Sequence, residues 1–297
     1  MRAVDRNHGN FERDALSRAL DNGELSLVYQ PKLDLSSRCI VGAEALLRWS
    51  NPRLGDVRPA TFIPMAEETG LIVEIGEWAL RRACEDAASW QRAGRVGVAV
   101  NLSPRQFGQN DLVETVAVAL RRSGLPAGLL ELEITEGTAM SSPELAVAVL
   151  GELRALGVEL SVDDFGTGYS SFTYLQRFPL DRLKIDRSFV CDMCSRASSE
   201  AIIAAMITLG HGLDLGVVVE GVETERQHAQ LVRMGCDQGQ GFLYSRPVSV
   251  EAFHALLAAG AEASNRPPMN GRKPGIARQN PRLSGLGATR SVPNMGG

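Results

Sequence analysis

Residues 25–49 read LSLVYQPKLDLSSRCIVGAEALLRW. Two β-rich runs, LSLVYQPKLDL and CIVGAEALLRW, are joined only by Ser36, Ser37 and Arg38. A connection that short closes a hairpin but cannot carry a helical crossover, so the runs are expected to be antiparallel neighbours. Six more short runs follow: VGVAVNLS, LLELEITE, ELSVDD, DRLKID, GVVVEG and the glycine-interrupted CDQGQGFLY. Between them lie stretches of helical spacing, seen at Leu145, Val149, Leu153 and Leu156, and again at Ile202, Met206, Leu209 and Leu213. Eight strands alternating with helices predict a (β/α) barrel. Its regular parallel order breaks at the first connection.

A barrel of about 250 residues would use most of the 297-residue chain. Hydrophobic residues make up 44%, enough for a core, and no apolar run approaches the roughly 20 residues of a membrane span. The first residues, MRAVDRNHGNFERDALSRAL, alternate in charge and lack the apolar stretch of a secretory signal. Five cysteines without framework spacing fit a reducing compartment, so a cytoplasmic protein is expected. Cys191 and Cys194 form a C-x-x-C with neither a second pair nor a histidine partner, which favours an ordinary helix start over a zinc or redox site.

Composition changes near residue 262. From Ala263 onward there are five prolines, six basic residues, no aromatic residue and no acid. Such a segment cannot offset its ordering entropy by burial. The expected organisation is an N-terminal extension over 1–11, a barrel over 12–260 and a disordered basic Pro/Gly-rich tail over 261–297. Removing the six tail residues from the 31 Lys and Arg leaves 25 against 35 acids in the remainder. That acidic body argues against binding of long nucleic acids.

Polar residues gather at the ends of the predicted strands. Glu44 lies in the second run, Asn101 ends the third, Glu133 and Glu136 the fourth, and Asp163 and Asp164 the fifth. Lys184 and Asp186 end the sixth, Glu220 and Glu223 the seventh, and Gln240 lies in the eighth. The C-terminal ends of parallel barrel strands share one mouth, where barrel enzymes work. Any one acid could serve only as a helix N-cap. Carboxylates from so many strands would repel one another at a common mouth unless hard cations neutralised them. Oxygen donors with an amide and no histidine suggest magnesium or manganese. His8, His211, His228 and His254 lie away from strand ends and read as structural.

The stretch SVDDFGTGYSS, residues 161–171, places Asp163 and Asp164 directly before a glycine turn. Gly166 and Gly168 give G-x-G, but Ser171 replaces the third glycine of a dinucleotide fingerprint, and two bare carboxylates would oppose a pyrophosphate there. A phosphate would instead meet cations that the carboxylates hold.

EALLRW, NPRLGDVRPATFIPMAEETGLI, NLSPRQF, ELEITEG, SVDDFGTGYSSF, LKIDRSFV, VVVEGVETERQ and GQGFLYSRP stand in the order of a known family. From about residue 12 to 258 the chain resembles the EAL-domain phosphodiesterases, which hydrolyse the bacterial second messenger cyclic di-GMP to the linear dinucleotide pGpG. The resemblance implies a modified TIM (β/α)8 barrel with one antiparallel strand. It implies metal ligands at Glu44, Asn101, Glu133 and Asp163 for one ion, and Asp163 and Asp164 for a second, with Glu220 nearby. Lys184 matches the lysine that contacts the attacking water, and Glu220 is the other candidate for activating it. Substrate contacts would fall on Gln30, Arg48, Asp186, Glu223 and Gln240, while Glu136 matches the glutamate that supports the DDFGTG loop. Mg2+ or Mn2+ is the implied cofactor and a homodimer the implied assembly. Asn51 and Gly137 depart from the family's common histidine and serine; Gly137 is expected to loosen the loop under Glu136.

Two other readings remain from the residues: a module that binds the nucleotide or a protein without turnover, and a barrel metalloenzyme for another phosphorylated substrate. No GGDEF-type motif precedes the barrel. Regulatory input is therefore expected from a protein partner, oligomerisation or expression.

Overall fold

In a computed structural model, which describes residues 12–167 and 172–264, the eight runs become strands, and a ninth short strand joins them. They are β1 (Leu25–Asp34), β2 (Ile40–Asn51), β3 (Gly55–Val57), β4 (Gly97–Leu102), β5 (Leu130–Thr135), β6 (Glu159–Phe165), β7 (Arg182–Ile185), β8 (Gly216–Val219) and β9 (Gln238–Gly239). One sheet runs β1-β9-β8-β7-β6-β5-β4-β2-β3, and a further β1–β2 pairing closes eight of its strands into a ring. From β2 through β4 to β9 every neighbouring pair is parallel. β1 is antiparallel to both β2 and β9. The short link, residues 35–39 between the strands, does build a hairpin, and the fold is a (β/α)8 barrel with one reversed strand.

β3 was not expected. It is three residues long and pairs only with the end of β2, opening on Gly55 at φ 69° directly after the turn. A strand that short carries no alternation to read.

The principal helices are α1 (Pro59–Thr69), α2 (Ile72–Trp90), α3 (Leu112–Ser123), α4 (Pro143–Ala155), α5 (Ala197–Gly212), α6 (Glu225–Met234) and α7 (Val250–Ser264). Both helices predicted from periodicity exist, but the buried face is displaced. Ala146, Leu150 and Leu153 are buried in α4, and Ile203 and Ile207 in α5, while Leu145 and Ile202 are 48% and 42% exposed. Each helix carries apolar residues in adjacent rows, and close approach to the sheet selects the row containing the smaller alanine or glycine. Cys191 ends the one-turn helix Arg187–Cys191 rather than starting a helix. All five cysteines are free.

Strand alternation sorts the side chains. In β5, Leu130, Leu132 and Ile134 face the helices at 1% exposure or less, while Glu131 and Glu133 between them are also buried. Leu160 and Val162 alternate with Ser161 and Asp163 in β6 in the same way. The second set faces the lumen, because Glu131 and Glu133 on β5 reach lysines on the non-adjacent strands β1 and β7. A (β/α)8 lumen is ordinarily filled with branched apolar side chains; here it is filled with charges. The apolar core lies instead between sheet and helices. A second hydrophobic cluster joins Ala15, Leu16, Ala19 and Leu25 to Trp49, Phe62, Ala66, Ile72 and Ile75.

Among the described residues no helix is long and apolar enough to cross a membrane. His8, Gly168, Ser171, the extension over 1–11 and nearly all of the expected tail lie outside the described residues.

Candidate functional site

Two hydrogen-bonded networks meet at the C-terminal mouth of the barrel. The first centres on Lys184 at the end of β7, whose side chain is fully buried. Its Nζ donates to Glu133 Oε2 at 2.6 Å and Asp163 Oδ2 at 2.9 Å, and it pairs with Glu220 Oε1 at 2.7 Å. The second centres on Glu44. Its Oε1 accepts from Asn101 Nδ2 at 2.7 Å and its Oε2 from Gln240 Nε2 at 2.7 Å. Gln240 also donates to Gln30 Oε1 at 2.9 Å, and Gln30 donates to the Ser245 carbonyl at 3.2 Å. Asn101 is exposed, which marks the open side of the mouth.

One ammonium is outnumbered here. Burial pushes the Glu133 carboxyl up to about 8 and that of Glu220 up to about 7, even though Lys184 pulls both down. Asp164 is raised by burial and then by Asp163 and Asp186. Glu44 behaves differently: burial opposes it, but Lys184, Lys32 and its two amide donors hold it below the ordinary value. Lys184 in turn is held well above its ordinary value by Glu133, Glu44, Glu220 and Asp163, against the cost of burial. Among the described residues no three acid, histidine or cysteine side chains stand ready around a common ion. Lys184 occupies the space that the carboxylates share.

The turn after β6 follows from its residues. Asp163 Oδ1 accepts from the Asp164 N–H at 2.8 Å. Asp164 takes the left-handed φ of 55°, which Asp tolerates better than most residues. Thr135 caps the helix Glu136–Ser141, accepting from Thr138 N, and the Glu136 carboxylate accepts the Gly166 N–H at 3.0 Å. Gly166 sits at φ 91°, and a Cβ there would run into Met206. Gly137 has open space around it, and the Glu136 contact forms with glycine in place.

The remaining residues expected at the site are dispersed. Arg48 is half-buried, donates to the Leu47 carbonyl at 2.7 Å and has no ion pair among the described residues. It lines a cavity of about 270 Å³ beside Asn101, Ile72, Ala79 and Gln106. Asp186 caps the helix Arg187–Cys191 through Ser188 N at 3.0 Å. Glu223 is exposed, and among the described residues only its backbone N–H is engaged, by Gln227 Oε1.

The family model of the EAL domain matches residues 13–247. The chain belongs to the EAL domain family. It is 46% identical over 245 residues to the bifunctional diguanylate cyclase/cyclic di-GMP phosphodiesterase MucR of Pseudomonas aeruginosa, covering 82% of this chain and 36% of that protein. To the cyclic di-GMP phosphodiesterase NbdA of the same organism it is 44% identical over 248 residues, covering 83% of this chain and 32% of that one. The chain thus spans about a third of the length of these curated relatives. The structure of the PaMucR phosphodiesterase in its c-di-GMP complex superposes with a TM-score of 0.78 at 45% identity, covering 81% of this chain and 98% of that one.

In this EAL domain the lettered triplet is Glu44-Ala45-Leu46. Alternation sends Glu44 into the lumen, while Ala45 is buried on the helix side. Asn51 is occupied structurally: it donates to Glu24 at 2.8 Å and accepts from the N–H groups of Arg53 and Leu54. His228 bonds Arg38 and Tyr244, and His254 bonds Ser89. None of His211, His228 and His254 reaches the mouth networks.

Sequence reasoning missed the layer beneath the mouth. Lys32 is 2% exposed and bridges Glu131 Oε2 at 3.0 Å and Glu133 Oε1 at 2.7 Å. Arg182 reaches Glu131 at 3.5 Å and pairs with Glu159. The signal was present as a spacing of two, in Gln30/Lys32, Glu131/Glu133 and Arg182/Lys184. Each pair puts both members on the same strand face.

Proposed function

We propose that this EAL domain is a metal-dependent phosphodiesterase that hydrolyses cyclic di-GMP to pGpG and so lowers the second messenger in bacterial signalling. The observation that carries this reading is the enclosure of Lys184 by Glu133, Asp163 and Glu220, with Glu44 alongside, at the barrel mouth. The names of MucR and NbdA and the c-di-GMP complex of a similar structure support the choice of substrate.

The donor set fits Mg2+ or Mn2+. Every group is a carboxylate or amide oxygen, negative charge is in excess, and the Gln240 Oε1 atom is buried without a partner. Glu44, Asn101, Glu133 and Asp163 would hold one ion, and Asp163 with Asp164 the second, with Glu220 beside them. Bound there, two cations supply acidity to a water and positive charge to the phosphoryl oxygens.

The chain's own residues do the rest. Lys184 donates to and orients the water. Glu220, paired with Lys184 at 2.7 Å, takes up its proton as the general base. Water oxygen bonds to phosphorus, the P–O3′ bond breaks, and the leaving oxygen is protonated, which yields a 5′-phosphate and a 3′-hydroxyl. Arg48, which has no ion pair among the described residues, grips a phosphate through its fork of N–H groups. Gln30, Asp186, Glu223 and Gln240 complete the substrate contacts.

The same proposal includes the division of the chain into a barrel over 12–260 with flanking segments, a cytoplasmic location, a homodimer and a regulatory protein partner. The test is turnover of cyclic di-GMP by purified protein in magnesium, in manganese and in chelator, with products separated by chromatography. Metal-dependent pGpG is expected. A folded protein that binds the nucleotide and yields none would overturn the reading.

A further inference from the structure

β1 runs against its neighbours, so its earlier residues lie nearer the mouth. Gln30 is in register with Glu44, and Lys32, two residues later, with Gly42 one step deeper. From there the Lys32 ammonium reaches Glu131 and Glu133 on β5. Gly42 and Gly97 are register partners on β2 and β4. With Lys32, Glu131, Arg182 and Gln238 they line a cavity of about 60 Å³ in the barrel floor. Lys32 is itself fixed, because Glu131 also meets Arg182, which pairs with Glu159. None of these floor groups faces the open mouth.

Glu133 is therefore gripped at both oxygens by different cations. Lys32 holds Oε1 at 2.7 Å from below, and Lys184 holds Oε2 at 2.6 Å on the mouth side. The two oxygens are not equivalent. Lys184 also has Asp163 and Glu220 as partners to fall back on, whereas Lys32 is anchored away from the mouth.

We propose that Lys32 is a positioning residue that sets which cation the site prefers, by occupying Glu133 Oε1 so that the carboxylate can offer only Oε2. This rests on the divalent-cation reading above. Calcium favours six to eight oxygen ligands and readily takes a carboxylate through both oxygens, whereas magnesium keeps a strict octahedron. A carboxylate confined to one oxygen matches the second ion and handicaps the first. Releasing Oε1 removes the handicap.

The experiment compares Mg2+ and Ca2+ dissociation constants, measured by titration calorimetry without nucleotide, in the whole chain. Lys32→Met leaves Glu131 and Glu133 short of a buried cation, so Lys32→Met/Glu131→Gln, which rebalances the floor charge, is measured beside it. Glu131→Gln alone, with Lys32 retained, is the control. Folding is verified by thermal denaturation. In the variants lacking Lys32 the affinity ratio is expected to shift toward calcium by about tenfold, and in the control to stay at the unsubstituted value. A folded double variant with an unchanged ratio, or an equal shift in the control, overturns the role of Lys32 alone. Absence of binding of either ion by the unsubstituted chain overturns the cation reading and this inference with it.

Discussion

Glu136 Oε2 accepts the backbone N–H of Gly166 at 3.0 Å, tying the turn after β5 to the turn that follows Asp163 and Asp164. A hydrogen bond to a charged acceptor is worth about 1.5–3 kcal/mol, but its larger effect here is positional. Glu136→Ala is expected to lower kcat by about tenfold, since small displacements of reacting groups are costly. Steady-state kinetics beside a melting curve check this. A variant that melts earlier yet turns over at the original rate contradicts it.

Gly137 makes the complementary case. A Cβ at this position meets nothing within 4 Å. Gly137→Ser should leave turnover within about twofold and stability within about 0.5 kcal/mol, as surface changes usually do. Kinetics and denaturant titration read both.

Glu44→Ala removes the acceptor shared by Asn101 and Gln240. Asn101 is exposed and can turn to water, and Gln240 keeps Gln30. The barrel should stay folded while metal-dependent hydrolysis falls by at least about a hundredfold, the range of losing a principal electrostatic group. Near-normal turnover would remove Glu44 from the site. In the unsubstituted protein calcium should support turnover poorly.

Lys184→Met leaves Glu133, Asp163 and Glu220 without their shared ammonium. Removing one partner from a buried ionic cluster costs about 3–5 kcal/mol. Denaturation in chelator should show that loss, and saturating Mn2+ should recover part of it by binding the folded form.

The metal-free protein should become less stable between pH 6.5 and 8. Glu220 titrates near 7 and Glu133 near 8 when folded, against an ordinary 4.5. Folding raises both values, so their contribution is full below 4.5 and is lost as pH rises through 7 and then 8. His228, lowered by burial and Arg38, acts in the opposite sense, but only below its ordinary 6.5. Melting temperatures in chelator should fall across this window, and saturating Mn2+ should flatten the fall.

The three residues between the first two β-rich runs were enough to predict a reversed strand, because no helix fits there. The acids at strand ends were legible because a parallel barrel gathers those ends. Lys32 was not, because the rule inverts on a reversed strand. In β5 the later acid, Glu133, is at the mouth, but in β1 the earlier residue, Gln30, is, and the later Lys32 sits below. The helix faces misled for a different reason: Leu145 and Ala146 are both apolar, and only distance to the sheet decides between them.

Reversing β1 also fixes where the chain enters. Leu25 pairs with Trp49 at the rim, and Glu24 holds the Trp49 indole N–H at 3.0 Å. Ala15, Leu16 and Ala19 pack into the same cluster as that ring. Any load drawn along the polypeptide ahead of β1 is therefore delivered to Trp49, the covalent neighbour of Arg48. The incoming chain is a handle attached beside the arginine proposed to grip a phosphate, and not at the far end of the barrel.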